Sequence, residues 1–426
     1  MISKIKAKLS NNATLYLLAS LIYSFSTYII VLLIPYKLDL QLMADFSAAL
    51  NIIMMLSFVF EFGVVTSYLR YNQLYKATRY INAYIQLIIF LFILFVSQTF
   101  FGDMLDKFLG MNNVDLNQNY LYMAVFSILS WVFFKNIFLA NKNIMMILIN
   151  ASILTVVRLG LLGYILFSDA KFSTDEIYLY LFILPFVFII FFNLKHNFSE
   201  FMQSLSFAKH KAQRKLFFKR SKQVLIFAAA TYLIAIIFVY TSRYAVIYLT
   251  KMDATQLIAD LGYATSFGGL IVIFSVSLRS YFISKFNISN PKDIQIYIKK
   301  MYSYKTKFIV ASILFSASIA SLVCMIKPDY LTIDAVFFVF ILVEGYLLSS
   351  YLGMFSLLSK TFNFNNLELM LNILRLVLVM GFVHFLLLEH PIWGFIALNV
   401  SIVLVELLFA MIVLSKVNKK RRIDEL

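Results

Sequence analysis

Lys135, Arg158, Arg243, Arg279 and Arg375 stand inside long apolar runs of the sequence, and so do Glu61, Glu344 and Glu406. A charged side chain at the centre of a membrane helix costs about 2.5 to 3.5 kcal/mol on insertion scales, so such groups face a partner or a polar path. Guanidinium groups bind phosphate oxygens through paired, directional donors, which suits Arg158, Arg243 and Arg375 to an anionic ligand. Arg279 and Lys135 lie nearer the ends of their runs, where a flexible stem can carry the charge to the interface, and this is the reading taken for Arg279. The carboxylates suit a coupling ion or an ion pair. Spacing adds to this. Asn365, Glu368, Asn372 and Arg375 follow one another at steps of three, four and three, which stacks them on one helix face. Ser47, Asn51, Ser57 and Glu61 occupy a sector roughly 120° wide on another helix. Ser and Asn also join helices in lipid through hydrogen bonds, but a stripe that ends in an ionised group points to a wall open to water. The expected substrate contacts are therefore Arg158, Arg243, Arg375, Lys135, Asn372 and Asn51, with Glu61, Glu344, Glu368 and Glu406 as coupling or ion-pair carboxylates.

These residues need membrane helices to position them. The chain has 426 residues, 62% of them hydrophobic and 14% charged, whereas soluble domains are near half apolar and a quarter charged. A helix needs about 20 apolar residues to cross roughly 30 Å of hydrocarbon, and the apolar blocks have that length rather than the alternation of a barrel strand. The blocks predict twelve spans, at 12–34, 44–69, 81–101, 119–140, 144–167, 176–194, 223–249, 256–283, 305–326, 333–358, 365–388 and 392–415. Basic residues precede the first block without a short core and a cleavage site, so it reads as a retained span. With the N-terminus in the cytoplasm, most of the 37 Lys and Arg fall on that side, and the outer loops hold Lys37, Lys107, Lys171, Lys251 and Lys327. This bias places both termini inside and makes the net charge of +16 a mark of the lipid surface rather than of nucleic-acid binding.

The second half repeats the first. "MADFSAAL" from Met43 reappears as "IADLGYAT" from Ile258, and "YLLASLIYSFSTY" from Tyr16 as "YLIAIIFVYTSRY" from Tyr232. Tyr16 then matches Tyr232, Ser26 matches Ser242, Tyr28 matches Tyr244 and Asp45 matches Asp260. Six spans precede the repeat, so both copies enter the membrane in the same direction. The expected organisation is a six-helix lobe over 1–194, a basic cytoplasmic linker over 195–222, and a second lobe with a basic tail over 223–426.

The remaining chemistry is sparse. One cysteine, Cys324, allows no internal disulfide, and His196, His210, His384 and His390 show no metal-ligand spacing. No P-loop, nucleophile elbow or dinucleotide turn occurs, so neither a catalytic residue nor a cofactor is expected.

A resemblance joins these features. The two six-helix lobes, the basic link after span 6, "FEFGVVTSYLRY" (Phe60–Tyr71) and "TSRYAVIYLTKMDATQLIADLGYATSFGGLI" (Thr241–Ile271) resemble the polysaccharide-transporter branch of the multidrug, oligosaccharidyl-lipid and polysaccharide exporter superfamily, particularly O-antigen flippases of the Wzx type. Relatives in that branch carry an acidic–basic pair late in span 7, where this chain has Ser242 and Arg243. The resemblance implies no enzyme but a flippase of the bacterial inner membrane. It would move an undecaprenyl-pyrophosphate-linked oligosaccharide from the cytoplasmic to the outer leaflet by alternating access through a cationic central cavity. Implied partners are that lipid-linked substrate, membrane lipid, and a polysaccharide polymerase with its chain-length regulator. Two other classes stay open: an ion-coupled multidrug or small-molecule exporter of the same fold, favoured by Glu61, Glu344 and Glu406, and a membrane glycan polymerase or ligase.

Overall fold

The computed structural model describes residues 12–61, 109–140, 143–193, 236–268, 291–361 and 365–424, with 232–234 and scattered positions between 91 and 107. In chain order the helices are α1 (Asn12–Leu33), α2 (Leu40–Glu61), α3 (Gln118–Ala140), α4 (Ile144–Phe167), α5 (Thr174–Asn193) and α6 (Tyr232–Lys251). They are followed by α7 (255–268), α8 (Pro291–Ile326), α9 (Ile333–Thr361), α10 (Asn365–Leu386) and α11 (Pro391–Asp424). Among the described residues, ten of these are long and apolar enough to cross a membrane. The chain is an all-α integral membrane protein. The third expected span lies almost wholly outside the described residues, as do the linker over 195–222, Arg279, His196 and His210, and the eighth is described only to residue 268.

Local chemistry sets the helix ends. Pro35 lies in the 3-10 turn Ile34–Tyr36 after α1 and lacks the N–H that would continue a helix. Asp39 then accepts from the Leu42 N–H at 2.9 Å and caps α2. Ser173 and Glu176 form a reciprocal capping box at the start of α5, with Glu176 N–H on Ser173 Oγ at 3.3 Å and Ser173 N–H on Glu176 Oε2 at 2.9 Å. Helices α8 and α11 overrun the apolar windows that predicted them. Pro291 stands in the first turn of α8, where its missing N–H costs nothing, and the helix then runs through Lys299, Lys300, Lys305 and Lys307. Likewise α11 continues through Lys416, Lys419 and Lys420 to Asp424. Hydropathy marks only the part in hydrocarbon, while the backbone ladder persists wherever propensity allows.

The chain divides into two compact units, one of residues 1–37 and 45–239, the other of residues 38–44 and 240–426. The division thus falls within α6 and assigns the first turn of α2 to the second unit. In the first unit α1 packs along α4, while α3 and α4 pack against α5. Its core holds Phe46, Tyr178 and Phe182, all fully buried, and the Tyr178 hydroxyl donates to the Phe46 carbonyl at 2.6 Å. Lys37 Nζ donates to the Ser168 carbonyl at 2.5 Å, tying the connection after α1 to the one after α4.

In the second unit α11 packs against α9 and α10, and α8 packs against α9. A core of Met301, Tyr351, Met354, Phe355, Phe409, Ala410 and Val413 joins α8, α9 and α11. Phe308 stacks on Tyr351 at 4.7 Å, and the Tyr351 hydroxyl donates to the Met301 carbonyl at 2.6 Å. Gly394 is required by a close approach: a Cβ there would lie 2.7 Å from the Leu387 Cα and 2.8 Å from its nitrogen. Large apolar side chains such as Phe167, Met325 and Phe385 point outward, as expected of surface in contact with acyl chains rather than water.

Candidate functional site

Arg158 is the most enclosed basic residue among the described residues, only 1% exposed on α4. Its Nε donates to the Leu181 carbonyl at 3.1 Å and its Nη1 to the Thr27 hydroxyl at 2.9 Å. Leu181 lies in the π-helical turn Leu179–Ile183 of α5, where the regular i to i−4 ladder is interrupted and a carbonyl can turn to an outside donor. Three rings surround the guanidinium carbon: Phe186 at 4.7 Å, Phe182 at 5.3 Å and Tyr23 at 5.5 Å. Their electron-rich faces offer a buried cation part of what water would supply. Among the described residues no carboxylate reaches it.

Arg375 occupies the corresponding place on the fifth expected span of the second half, and its chemistry differs. Its Nη2 pairs with Glu406 Oε1 of α11, with the two side chains 6% and 14% exposed. In both units the fifth-span arginine therefore bonds the sixth, to a carbonyl on α5 and to a carboxylate on α11. Among the described residues, the fifth-span guanidinium meets a carboxylate in the second unit and none in the first.

The repeat carries a further correspondence. Thr27, which receives Arg158, aligns with Arg243, so each unit places a guanidinium at that repeat position by a different route. Arg243 is half-buried on α6 and lies near Tyr346 of α9. Tyr346 reaches that place because Gly268 has no side chain. A Cβ on Gly268 would lie 2.5 Å from the tyrosine ring.

The other expected residues take more local roles. Asn51 is buried and donates to the Ser47 carbonyl at 2.8 Å, and Asn372 is buried and donates to the Glu368 carbonyl at 3.0 Å, each back along its own helix. Asn372 and Arg375 face inward on α10 while Met370, Ile373, Leu374 and Val377 face outward, so the stripe is a real face of the helix. Half-buried Glu368 lies on the same side, and the side chain of Asn365 lies outside the described residues. Lys135 is half-buried with its ammonium 5.8 Å from the centre of the Tyr16 ring, and it lies near enough to Glu61 for the charges to interact. Tyr232, the repeat partner of Tyr16, donates its hydroxyl to the Val59 carbonyl two residues before Glu61.

Glu344 is clasped by two hydroxyls of α8, Ser312 Oγ at 2.8 Å and Ser316 Oγ at 2.9 Å. The i, i+4 spacing of those serines puts both hydroxyls on one face of α8. Nothing in the sequence marks the π-helical turn or the rings around Arg158. The repeated aspartate is a staple. Asp260 is fully buried and accepts from the Thr332 N–H at 3.0 Å and hydroxyl at 2.6 Å, while Thr332 Oγ1 accepts from the Asp334 N–H and caps α9.

No protein-family model matches this chain, and no curated protein matches it. Solved structures do. An inward-facing multidrug resistance MATE family transporter of the MOP superfamily superposes with a TM-score of 0.60 at 14% identity, over 96% of each chain. The Vibrio cholerae MATE transporter VcmN, in a mutant form, gives 0.55 at 12% identity over 99% of this chain and 98% of its own. A eukaryotic MATE transporter gives 0.52 at 11% identity over 99% of both chains. At such identities the likeness establishes the fold, which is that of the MATE transporters along essentially the whole chain.

Proposed function

We propose that this chain is a transporter of the MOP superfamily that flips an undecaprenyl-pyrophosphate-linked oligosaccharide from the cytoplasmic to the outer leaflet by alternating access. The observation that carries the reading is Arg158, a fully buried guanidinium whose hydrogen-bond partners among the described residues are a carbonyl and a hydroxyl and not a carboxylate. In low dielectric such a charge acts over distance, so it lowers the energy of an anion and raises that of a cation nearby. A pyrophosphate headgroup gains from that field, whereas a cationic drug loses. Arg243, half-buried on α6, is the better placed group for direct phosphate contact. The transporter works in the bacterial inner membrane with both termini in the cytoplasm, alongside a polymerase and chain-length regulator that consume its product.

One observation favours a second reading, an ion-coupled exporter of cationic or other small molecules. Glu344 is held by neutral hydroxyls and, among the described residues, forms no salt bridge, as a site for a coupling cation or cationic substrate would need. The two readings separate in cells from which the protein has been removed. Accumulation of full-length lipid-linked oligosaccharide on the inner leaflet supports the flippase. Unchanged lipid-linked pools with raised sensitivity to cationic compounds would reject it in favour of the exporter. Single units accumulating on the outer face would instead indicate a polymerase.

A further inference from the structure

Helix α8 is longer than a bilayer is thick, and its surplus length carries charge. Its 36 residues rise about 54 Å, whereas about 20 residues cross roughly 30 Å of hydrocarbon. Counted back from Ile326, the part in hydrocarbon ends near Lys307. Between Pro291 and Val310 the sequence holds five lysines and a single acid, Asp293. Four of the lysines, Lys299, Lys300, Lys305 and Lys307, are exposed, and exposed Tyr302 and Tyr304 stand between them. Lys305 and Lys307 begin at the level of the headgroups. Lys299 and Lys300 begin about 10 to 12 Å below that boundary, and their stems reach back toward it.

This stretch is held in place by its other side. Met301 and Phe308 pack against the Tyr351, Phe355 and Val413 core, and Ser312 and Ser316 bond Glu344, so these four residues turn toward α9 and α11. At about 100° per residue, Lys300, Ser303, Lys307, Val310 and Leu314 fall within roughly 80° of one another on a different side. All five are exposed. One line on the outer surface of α8 therefore runs from ammonium groups into apolar side chains that face acyl chains.

Retention of basic segments in the cytoplasm explains the number of lysines but not this arrangement. It counts charges near the end of a span and takes no account of the helix face that carries them. A lipid whose acyl chain lies along Leu314 and Val310 sets its headgroup beside Lys307 and Lys300.

We propose that this line is a seat for an anionic phospholipid in the leaflet at the N-terminal end of α8, the cytoplasmic leaflet in the orientation read from lysine and arginine. The phosphodiester accepts charge-assisted hydrogen bonds from the ammonium groups, and tyrosine hydroxyls at the same level suit the headgroup layer. A zwitterionic headgroup brings an ammonium of its own, which the lysines repel, so the seat selects net negative lipid. Occupancy ties α8 to the headgroup plane and fixes its depth. The inference goes beyond the transport reading and holds whatever substrate is carried.

The test uses the full-length chain with Cys324→Ser and a fluorophore on Ser303→Cys, in bilayers that mix phosphatidylglycerol and phosphatidylcholine with one or the other brominated. Quenching of the fluorophore by each brominated lipid gives their relative affinity at this place. With Lys300 and Lys307 intact, phosphatidylglycerol should be preferred about five- to twentyfold, since each lysine at the surface is worth about fivefold. Lys300→Gln with Lys307→Gln should bring the preference below about twofold, whereas Lys300→Arg with Lys307→Arg should keep it. Thermal melts should be alike for all three proteins, because both side chains are exposed. Equal quenching by the two lipids in the protein with both lysines would overturn the seat, as would a preference that survives the double glutamine variant. A trace of polyprenyl pyrophosphate that displaces brominated phosphatidylglycerol would overturn it too, by showing that the line holds a pyrophosphate lipid instead.

Discussion

The Arg375–Glu406 pair can be taken apart one charge at a time. Both side chains are largely withdrawn from solvent, at 6% and 14% exposure, so neither ion has water to return to when its partner is removed. A lone charge within a membrane helix costs about 2.5 to 3.5 kcal/mol on insertion scales, and breaking a buried pair in soluble proteins costs about 3 to 5 kcal/mol. Arg375→Met, which strands the carboxylate, and Glu406→Leu, which strands the guanidinium, should therefore each destabilise by about 3 kcal/mol. The double variant removes both charges and replaces them with apolar chains of related size, so it should return to within about 1 kcal/mol of wild type. That departure far exceeds the roughly 0.5 kcal/mol within which independent substitutions add. The assay is reversible unfolding in mixed micelles, with all four proteins at the same detergent composition. Additive losses would refute the claim that the two ions hold each other. The same double variant separates structure from transport. If Arg375 serves only Glu406, a stable double variant transports normally; if it also meets the headgroup, transport falls while stability recovers.

Other expectations follow from the same geometry. Arg243→Ala should leave membrane abundance nearly unchanged while weakening substrate engagement roughly ten- to hundredfold, and Arg243→Lys should restore only part, because the ammonium lacks the planar fork. Surface polysaccharide and inner-leaflet precursor, measured at matched protein levels, check this, and normal export by the Ala variant would remove Arg243 from the path. Gly394→Ala should cost about 1 to 3 kcal/mol by forcing α11 away from the Leu387 backbone, whereas Gly381→Ala, with nothing within 4 Å of the new carbon, should be neutral or slightly stabilising. Thermal melts of the two variants side by side decide it. Single cysteines at Glu368 and Asn372 should react with polar thiol reagents and one at outward-facing Ile373 poorly. Equal rates would show that the stripe does not border water. In intact spheroplasts an external reagent should label Asn112→Cys and spare Ser204→Cys, and the reverse pattern would overturn the orientation read from lysine and arginine.

Much of the architecture was legible without coordinates because hydrocarbon allows little choice. A backbone with no water must satisfy itself within a helix, so apolar blocks of sufficient length become spans whatever their neighbours do. Helix ends written in local chemistry, such as Pro35, Asp39 and the Ser173–Glu176 box, depend on residues a few positions apart and are visible in the same way. The inward face of α10 was readable too, because helical periodicity alone puts Asn372 and Arg375 opposite Met370 and Ile373.

Partners distant in the chain were not legible. Arg158 and Arg375 look alike in sequence, each a lone arginine in the fifth span of its half, yet one is enclosed by rings and neutral acceptors and the other is paired with a carboxylate. The difference depends on which side chain of the next span faces the guanidinium, and at Leu181 on a carbonyl made available by a π-helical turn. The meaning of the repeated aspartate was equally hidden. Duplication made Asp45 and Asp260 stand out as a matched pair, but only the structure shows that Asp260 closes a hydrogen-bonded staple on Thr332, 72 positions away. Sequence determines which residues must leave water, since that depends on each side chain alone. Tertiary structure decides what each then meets, because in a low-dielectric interior the energy of a polar group is set by its nearest few neighbours, and packing brings these from distant parts of the chain.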